Sequence, residues 1–117
     1  MKSIEIISVP VTDPQKSKEF YLKMGLQLVT EMPFGKGQTW IQLRFPGGGT
    51  DITLVNWFEH MPAGCLRGIT INAANIEEDI IQLNNRGIET GKIDETPWGK
   101  FVSVKDPDGN TWSLHQK

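Results

Sequence analysis

The chain is poor in the residues from which most metal and redox sites are built. It has one cysteine, Cys65, and two histidines, His60 and His115, in 117 residues. A single thiol excludes an internal disulfide and a thiolate metal cluster within one chain. The two histidines belong to no His-Glu-x-x-His pattern or other carboxylate–histidine cluster. Basic excess is missing too: 12 Lys and Arg against 14 Asp and Glu leave a net charge of −2 and a pI near 5.6. That excludes a general nucleic-acid binder, whose phosphate contacts need a basic face. No apolar run is longer than a few residues, so no segment is expected to cross a membrane. The opening Met1–Val9 has one lysine and then alternates, without the apolar core and small-residue cleavage site of a secretory signal. The expected location is the cytoplasm.

What is present suits a folded domain. Hydrophobic residues make up 38% and charged residues 22%, ordinary values for a globular chain with one real core. Twelve glycines and seven prolines point to short elements joined by tight turns. Ile4–Val11 alternates as a strand, and Pro10, which lacks an N–H, places it at an edge. Asp13-Pro14 is an N-cap followed by proline at the first helical position, and the helix runs to Met24 with Gly25 placed to end it. Leu26–Met32, Gln38–Phe45 and Thr50–Asn56 read as strands, separated by Pro33–Gly37 and Pro46–Gly49. The triple glycine Gly47–Gly49 lacks the Lys-Ser or Lys-Thr of a phosphate loop and reads as a hairpin turn.

After Trp57–Cys65 the same order returns. Gly68–Ala73 is a strand, Asn75-Ile76-Glu77-Glu78 is a capping box, and a helix follows to Gly87. Strands are then predicted near Ile88–Ile93, over Phe101–Lys105 and over Thr111–His115, the last two joined by Asp106-Pro107-Asp108-Gly109-Asn110. The helix caps Asp13 and Asn75 lie 62 positions apart, as do Gly25 and Gly87, and the closing strands around Thr53 and Ser113 lie 60 apart. Residues 1–117 are therefore expected to form one domain of α+β class. It comprises tandem βαβββ modules, module one at 1–56 and module two at 66–117, joined by a linker at 57–65. Each module is too small to bury its own core.

Strand parity separates two faces. Ile7, Val9, Val11, Ile41, Leu43, Ile52, Leu54, Ile69, Ile71, Val102, Val104, Trp112 and Leu114 share the apolar face and are expected beneath the helices. The opposite face carries Ser8, Trp40, Gln42, Arg44, Asp51, Thr53, Thr70, Asn72, Phe101, Ser103, Ser113 and His115; Arg44 and Asp51 could pair across neighbouring strands, and such a pair reads as structural or exposed. Such a face either meets water, as in many antiparallel sheets, or lines a cavity if the sheet curls.

The opening Ser8-Val9-Pro10-Val11-Thr12-Asp13 with Phe20-Tyr21 and Gly25-Leu26, the later Gly87-Ile88, and above all Asp106–Trp112 resemble the vicinal oxygen chelate superfamily, which includes glyoxalase I, extradiol dioxygenases and bleomycin-resistance proteins. The resemblance covers essentially the whole chain. It implies paired modules forming a cupped mixed sheet around one ligand cavity, with helices outside and a homodimer as the usual assembly. It also implies four metal-ligand positions, which fall here on Ile6, Thr53, Gly68 and Ser113. None of them holds the His, Glu or Gln of metal-bearing relatives, and neutral hydroxyls are weak ligands beside imidazole and carboxylate. No metal and no cofactor are expected, and the usual metal-dependent activities are in doubt.

The residues left to bind with are aromatic and polar. The expected ligand-binding set is Ser8, Trp40, Gln42, Arg44, Thr53, Thr70, Asn72, Trp98, Phe101, Ser103, Ser113 and His115, holding a planar or amphipathic small molecule. Trp57, Phe58 and Met61 are expected at a subunit interface. The charge of −2 is too small to set the sign of a ligand. His115 is the one weak catalytic candidate, as a general base, and it carries the alternative reading: a glyoxalase-type lyase or isomerase without the usual metal site, or with a divergent one. Cys65 has no evident base partner and reads as an incidental thiol.

Overall fold

A computed structural model describes residues 1–117. Its ten elements are β1 (Ile6–Pro10), α1 (Pro14–Met24), β2 (Gln27–Pro33), β3 (Thr39–Arg44), β4 (Asp51–Val55), β5 (Ile69–Asn72), α2 (Ile76–Asn85), β6 (Asp94–Thr96), β7 (Gly99–Lys105) and β8 (Thr111–Gln116). They form two four-stranded sheets with the same connectivity, β1-β4-β3-β2 and β5-β8-β7-β6. In each, the first strand pairs in parallel with the last, and the remaining pairs are antiparallel. This is the α+β, twice-repeated βαβββ architecture with mixed sheets. β1 and β5 are both edge strands, which is where Pro10 costs no ladder hydrogen bond.

The local signals act as their chemistry dictates. The Asp13 carboxylate accepts from the backbone N–H groups of Gln15 and Lys16, and Asn75 accepts from that of Glu78, satisfying donors that a helix start leaves unpaired. Gly25 ends α1 at φ 114°, a left-handed conformation that any side chain would strain.

One element departs from the sequence pattern. The strand expected over Ile88–Ile93 is irregular, with a single bridge from Thr90 to Val104, and β6 starts only at Asp94. Gly91 explains part of this. Its N–H donates to the Ser103 carbonyl at 2.9 Å, but a glycine inside a strand has no side chain to pack and weakens the pairing.

The apolar face packs beneath the helices, in two clusters. The first joins Val9, Val11, Tyr21, Leu26, Ile41, Leu43, Ile52 and Leu54 with Trp112 of module two. The second gathers Ile76, Leu83, Ile88, Val102, Val104 and Leu114. Phe20, Met24 and Ile71 touch both, so the modules are fused through the helix side of their sheets.

A buried polar network reinforces this joint. The Tyr21 hydroxyl donates to Asp106 at 2.7 Å and accepts from the Trp112 indole N–H at 2.9 Å. The second Asp106 oxygen accepts from the N–H groups of Asp108 and Asn110. The Asn110 amide donates to the Pro10 carbonyl and to Asp106, and its oxygen accepts from Leu66 N–H. No buried side-chain nitrogen or oxygen lacks a partner. Burial and the neighbouring Asp106 charge push the Tyr21 hydroxyl far above its ordinary pKa, so it stays a donor. The Asp106–Asn110 turn thus ties β1 and α1 to module two.

Candidate functional site

The polar and aromatic face lies on the far side of each sheet from that shared core. Register brings its members together within each module. In module one Ser8 stands beside Thr53, and Thr53 beside Gln42. In module two Thr70 stands beside Ser113, and Ser113 beside Ser103. The next rung of module two carries Asn72, His115 and Phe101. Each sheet therefore presents a row of small polar groups flanked by an aromatic residue, Trp40 or Phe101.

Around Trp40 the side chains form a chain of hydrogen bonds. The indole N–H donates to Gln42 Oε1 at 3.2 Å, and Gln42 Nε2 donates to Asp51 Oδ2 at 2.7 Å. Arg44 closes the chain with two bonds to the same carboxylate, Nε at 2.9 Å and Nη2 at 3.0 Å. The Arg44 hydrogen bond, helped by Gln42, holds the Asp51 carboxyl below its ordinary range against the opposing effect of burial. Phe34, at the β2–β3 hairpin tip, packs on Trp40 with ring centres 5.7 Å apart and on Trp57 at 5.6 Å; Trp57 meets Phe58 at 6.1 Å. Two residues at this site lie outside the expected binding set: Asp51, which strand parity places on this face as a partner for Arg44, and Phe34. Phe34 lies in a turn, where parity says nothing, although its place at a hairpin tip matches that of Trp98.

Module two presents a different arrangement. Phe101 and His115 stack with centres 4.3 Å apart and planes 15° apart. His115 Nε2 lies 2.9 Å from the Trp98 carbonyl, which can only accept, so Nε2 is the donor in that bond. Gly99 makes this possible: a Cβ there would meet the Gln116 carbonyl at 2.3 Å and the imidazole at 2.8 Å. Trp98 itself is 77% exposed at its hairpin tip, outside the Phe101–His115 stack.

The structure does not gather the twelve expected residues around one cavity of the single chain. A cleft of about 700 Å³ opens between the modules, lined chiefly by Ile7, Ile52, Phe45, Ile69, Ile71, Trp112 and Leu114 on the core side; of the twelve, only Thr70 and Asn72 border it. Ser8, Trp40, Gln42, Arg44 and Thr53 group on one sheet, and Phe101, Ser103, Ser113 and His115 on the other.

The four positions that the resemblance assigns to metal ligands hold no strong donor. Ile6 offers no donor and Gly68 has no side chain. Thr53 is 1% exposed, with its hydroxyl 3.4 Å from that of Ser8, and Ser113 adds only a second hydroxyl. Nowhere do three or more His, Cys, Asp or Glu side chains cluster in a way that could hold an ion. His60 lies exposed in the linker, as does Cys65, a free thiol. No helix is long and apolar enough to cross a membrane.

Comparison with known proteins agrees with this architecture. Residues 3–114 match the family model described as the glyoxalase/bleomycin resistance protein/dioxygenase superfamily. The chain is 29% identical to the uncharacterized protein YetH of Bacillus subtilis, with 99% of each covered. Among solved structures it is similar to TnmS3, described as an antibiotic binding protein from Streptomyces sp. CB03234, with 36% identity and a TM-score of 0.92 over 99% of this chain and 96% of the other. It is also similar to a glyoxalase/bleomycin resistance protein from the same organism, with 37% identity and a TM-score of 0.87 over 97% and 100% of the two chains. With its duplicated βαβββ order and its Asp106–Asn110 turn, the chain belongs to the glyoxalase/bleomycin resistance protein/dioxygenase superfamily, the vicinal oxygen chelate superfamily.

Proposed function

We propose that this is a metal-free, cytoplasmic binding protein that sequesters a planar or amphipathic small molecule without altering it. The observation that carries this reading is the conjunction, on the polar face of each sheet, of a fixed aromatic ring with neutral hydroxyls and amides, and with no imidazole or carboxylate at Ile6, Thr53, Gly68 or Ser113. Such a surface holds a guest by apolar burial and stacking, with a few polar groups setting its orientation. Similarity to TnmS3, described as antibiotic-binding, supports the same class.

Trp40 and Phe101 supply the stacking faces. Ser8, Gln42, Arg44, Thr53, Thr70, Asn72, Ser103 and Ser113 supply the orienting groups, and Trp98 the rim. His115 acts as the ring that backs Phe101 rather than as a base. Because each module's face lies on the opposite side of its sheet from the core that joins the modules, the cavity is completed by a second copy of the chain, with Trp57, Phe58 and Met61 at the contact. The protein is accordingly a homodimer.

The test is a thermal-shift and tryptophan-quenching screen of the purified protein against antibiotics and metabolites, with and without chelator, followed by recovery of the ligand. Binding of an unchanged ligand that survives chelation is the expected result. Turnover of the ligand, lost in His115→Ala, would establish the enzymatic reading instead, and a side-chain-bound metal would refute the metal-free one. Sedimentation at 13.1 kDa rather than twice that mass would refute the dimer.

A further inference from the structure

The Arg44–Asp51 pair is built unequally. Asp51 is 3% exposed, and its two carboxylate oxygens take three hydrogen bonds, from Arg44 Nε, Arg44 Nη2 and Gln42 Nε2. The Arg44 side chain is 51% exposed. A guanidinium carries five N–H donors, and only two are spent on Asp51, so the remaining three have no partner in the chain. The anion is consumed and the cation is left partly open.

The same relay removes freedom from its neighbours. Two-point bonding to Asp51 sets the plane of the guanidinium. An indole N–H can only donate and a carboxylate can only accept, so Gln42 has one permitted orientation between them. Trp40, with its N–H occupied, offers a guest its ring face alone. Trp40 and Arg44 share a face of β3, four residues apart, about 13 Å between Cα atoms, and their long side chains shorten that span. An aromatic ring and a half-open cation thus lie on one face of β3, linked through Gln42 and Asp51.

We propose that module one selects ligands bearing an acidic oxygen (carboxylate, sulfonate or phenolate) at one end of a flat aromatic body, with Arg44 as the group that recognises the acid and Asp51 as the residue that positions it. This deepens the ligand-binding reading above and rests on it. Module two supplies an internal control. Its matching rung holds Lys105 opposite Thr111, with no carboxylate to orient the cation.

The experiment compares two dyes that share one body, 8-anilinonaphthalene-1-sulfonate and its neutral counterpart N-phenyl-1-naphthylamine, by fluorescence titration of the intact protein. The sulfonate is expected to bind about tenfold more tightly, the scale of one hydrogen bond to a charged group. Arg44→Gln is expected to abolish that ratio by weakening the sulfonate far more than the neutral dye, and Lys105→Gln to preserve it. Where Arg44→Gln fails to fold because Asp51 is left unpaired, Arg44→Gln with Asp51→Asn removes both charges and gives the same readout. Equal affinity of the two dyes for the wild type, or an equal loss of both in the variant, overturns this proposal alone. If neither dye binds the folded chain, the ligand-binding reading falls and this proposal with it. The positioning role has its own signature: Asp51→Asn is expected to shift the indole N–H resonance of Trp40, identified by its disappearance in Trp40→Phe, and to leave that of Trp112 in place. An unmoved Trp40 signal overturns that role.

Discussion

The two modules share one connectivity and differ in what they keep for themselves. In module one every residue of β4 is buried, whereas the matching β8 alternates buried and half-buried. Position 52 is an isoleucine that stays in its own core; its counterpart 60 residues later, Trp112, is the largest fully buried side chain and packs into module one. Helix α1 carries Tyr21 where α2 carries Leu83. The β3–β4 turn is Pro46–Gly49 with no polar network, while the corresponding β7–β8 turn is the hydrogen-bonded Asp106–Asn110. The two frames match, but module two is the donor of the joint and module one its receiver, and the polar faces differ: a hydrogen-bonded ion pair in one, a stacked Phe101–His115 pair in the other.

The comparison breaks most completely at the shared tryptophan. Trp112→Ala is expected to cost about 4 kcal/mol, measured by urea denaturation, and to expose both clusters, whereas Phe101→Ala on the polar face is expected to cost about 1 kcal/mol. Equal losses would mean that the joint is not where the stability lies. Next comes Asp106→Ala, which strands the N–H groups of Asp108 and Asn110 and the Tyr21 hydroxyl; about 3 kcal/mol is expected from leaving such buried donors unpaired. Tyr21→Phe keeps the ring but removes the link between Trp112 and Asp106, for about 1.5 kcal/mol. The two caps test what the modules still have in common. Asp13→Ala and Asn75→Ala are each expected to lower the thermal midpoint by a similar amount, about 1 kcal/mol apiece, and a large disparity would show that one helix depends on its partner module far more than the other.

The smallest effect is electrostatic. The bond from Arg44 holds the Asp51 carboxyl below its ordinary value of 3.8. A carboxylate depressed in the folded state contributes stability that is present above its unfolded pKa and is lost as pH falls through the folded one. The acid limb of the stability curve, below about pH 4, should therefore flatten in Asp51→Asn and remain unchanged in Thr111→Val at the matching rung of module two. An unchanged limb in Asp51→Asn would show that the pair carries no net pH-dependent stability.

Local chemistry made most of the fold legible. Caps, helix-ending glycines and strand parity act over a few residues and are written directly in the order of the chain, so the repeat at 62 and 60 positions could be read from Asp13, Asn75, Gly25 and Gly87. The missing strand at Ile88–Ile93 was less legible, because the pairing of Gly91 with Ser103 is a contact between segments. The same limit applied at the site. Parity placed Trp40, Gln42 and Arg44 on one face, yet Phe34, in a turn, has no parity to read.

By itself, then, the order of residues determined most of the elements and their faces, since each follows from residue type and near neighbours. Only the tertiary structure decided that Trp112 fills the other module's core, that Asp106 and Tyr21 lock the joint, and that Asp51 is buried while Arg44 stays half open. The joint depends on residues 85 to 91 apart in the chain coming together, and burial, unlike propensity, is a property of the surfaces that meet.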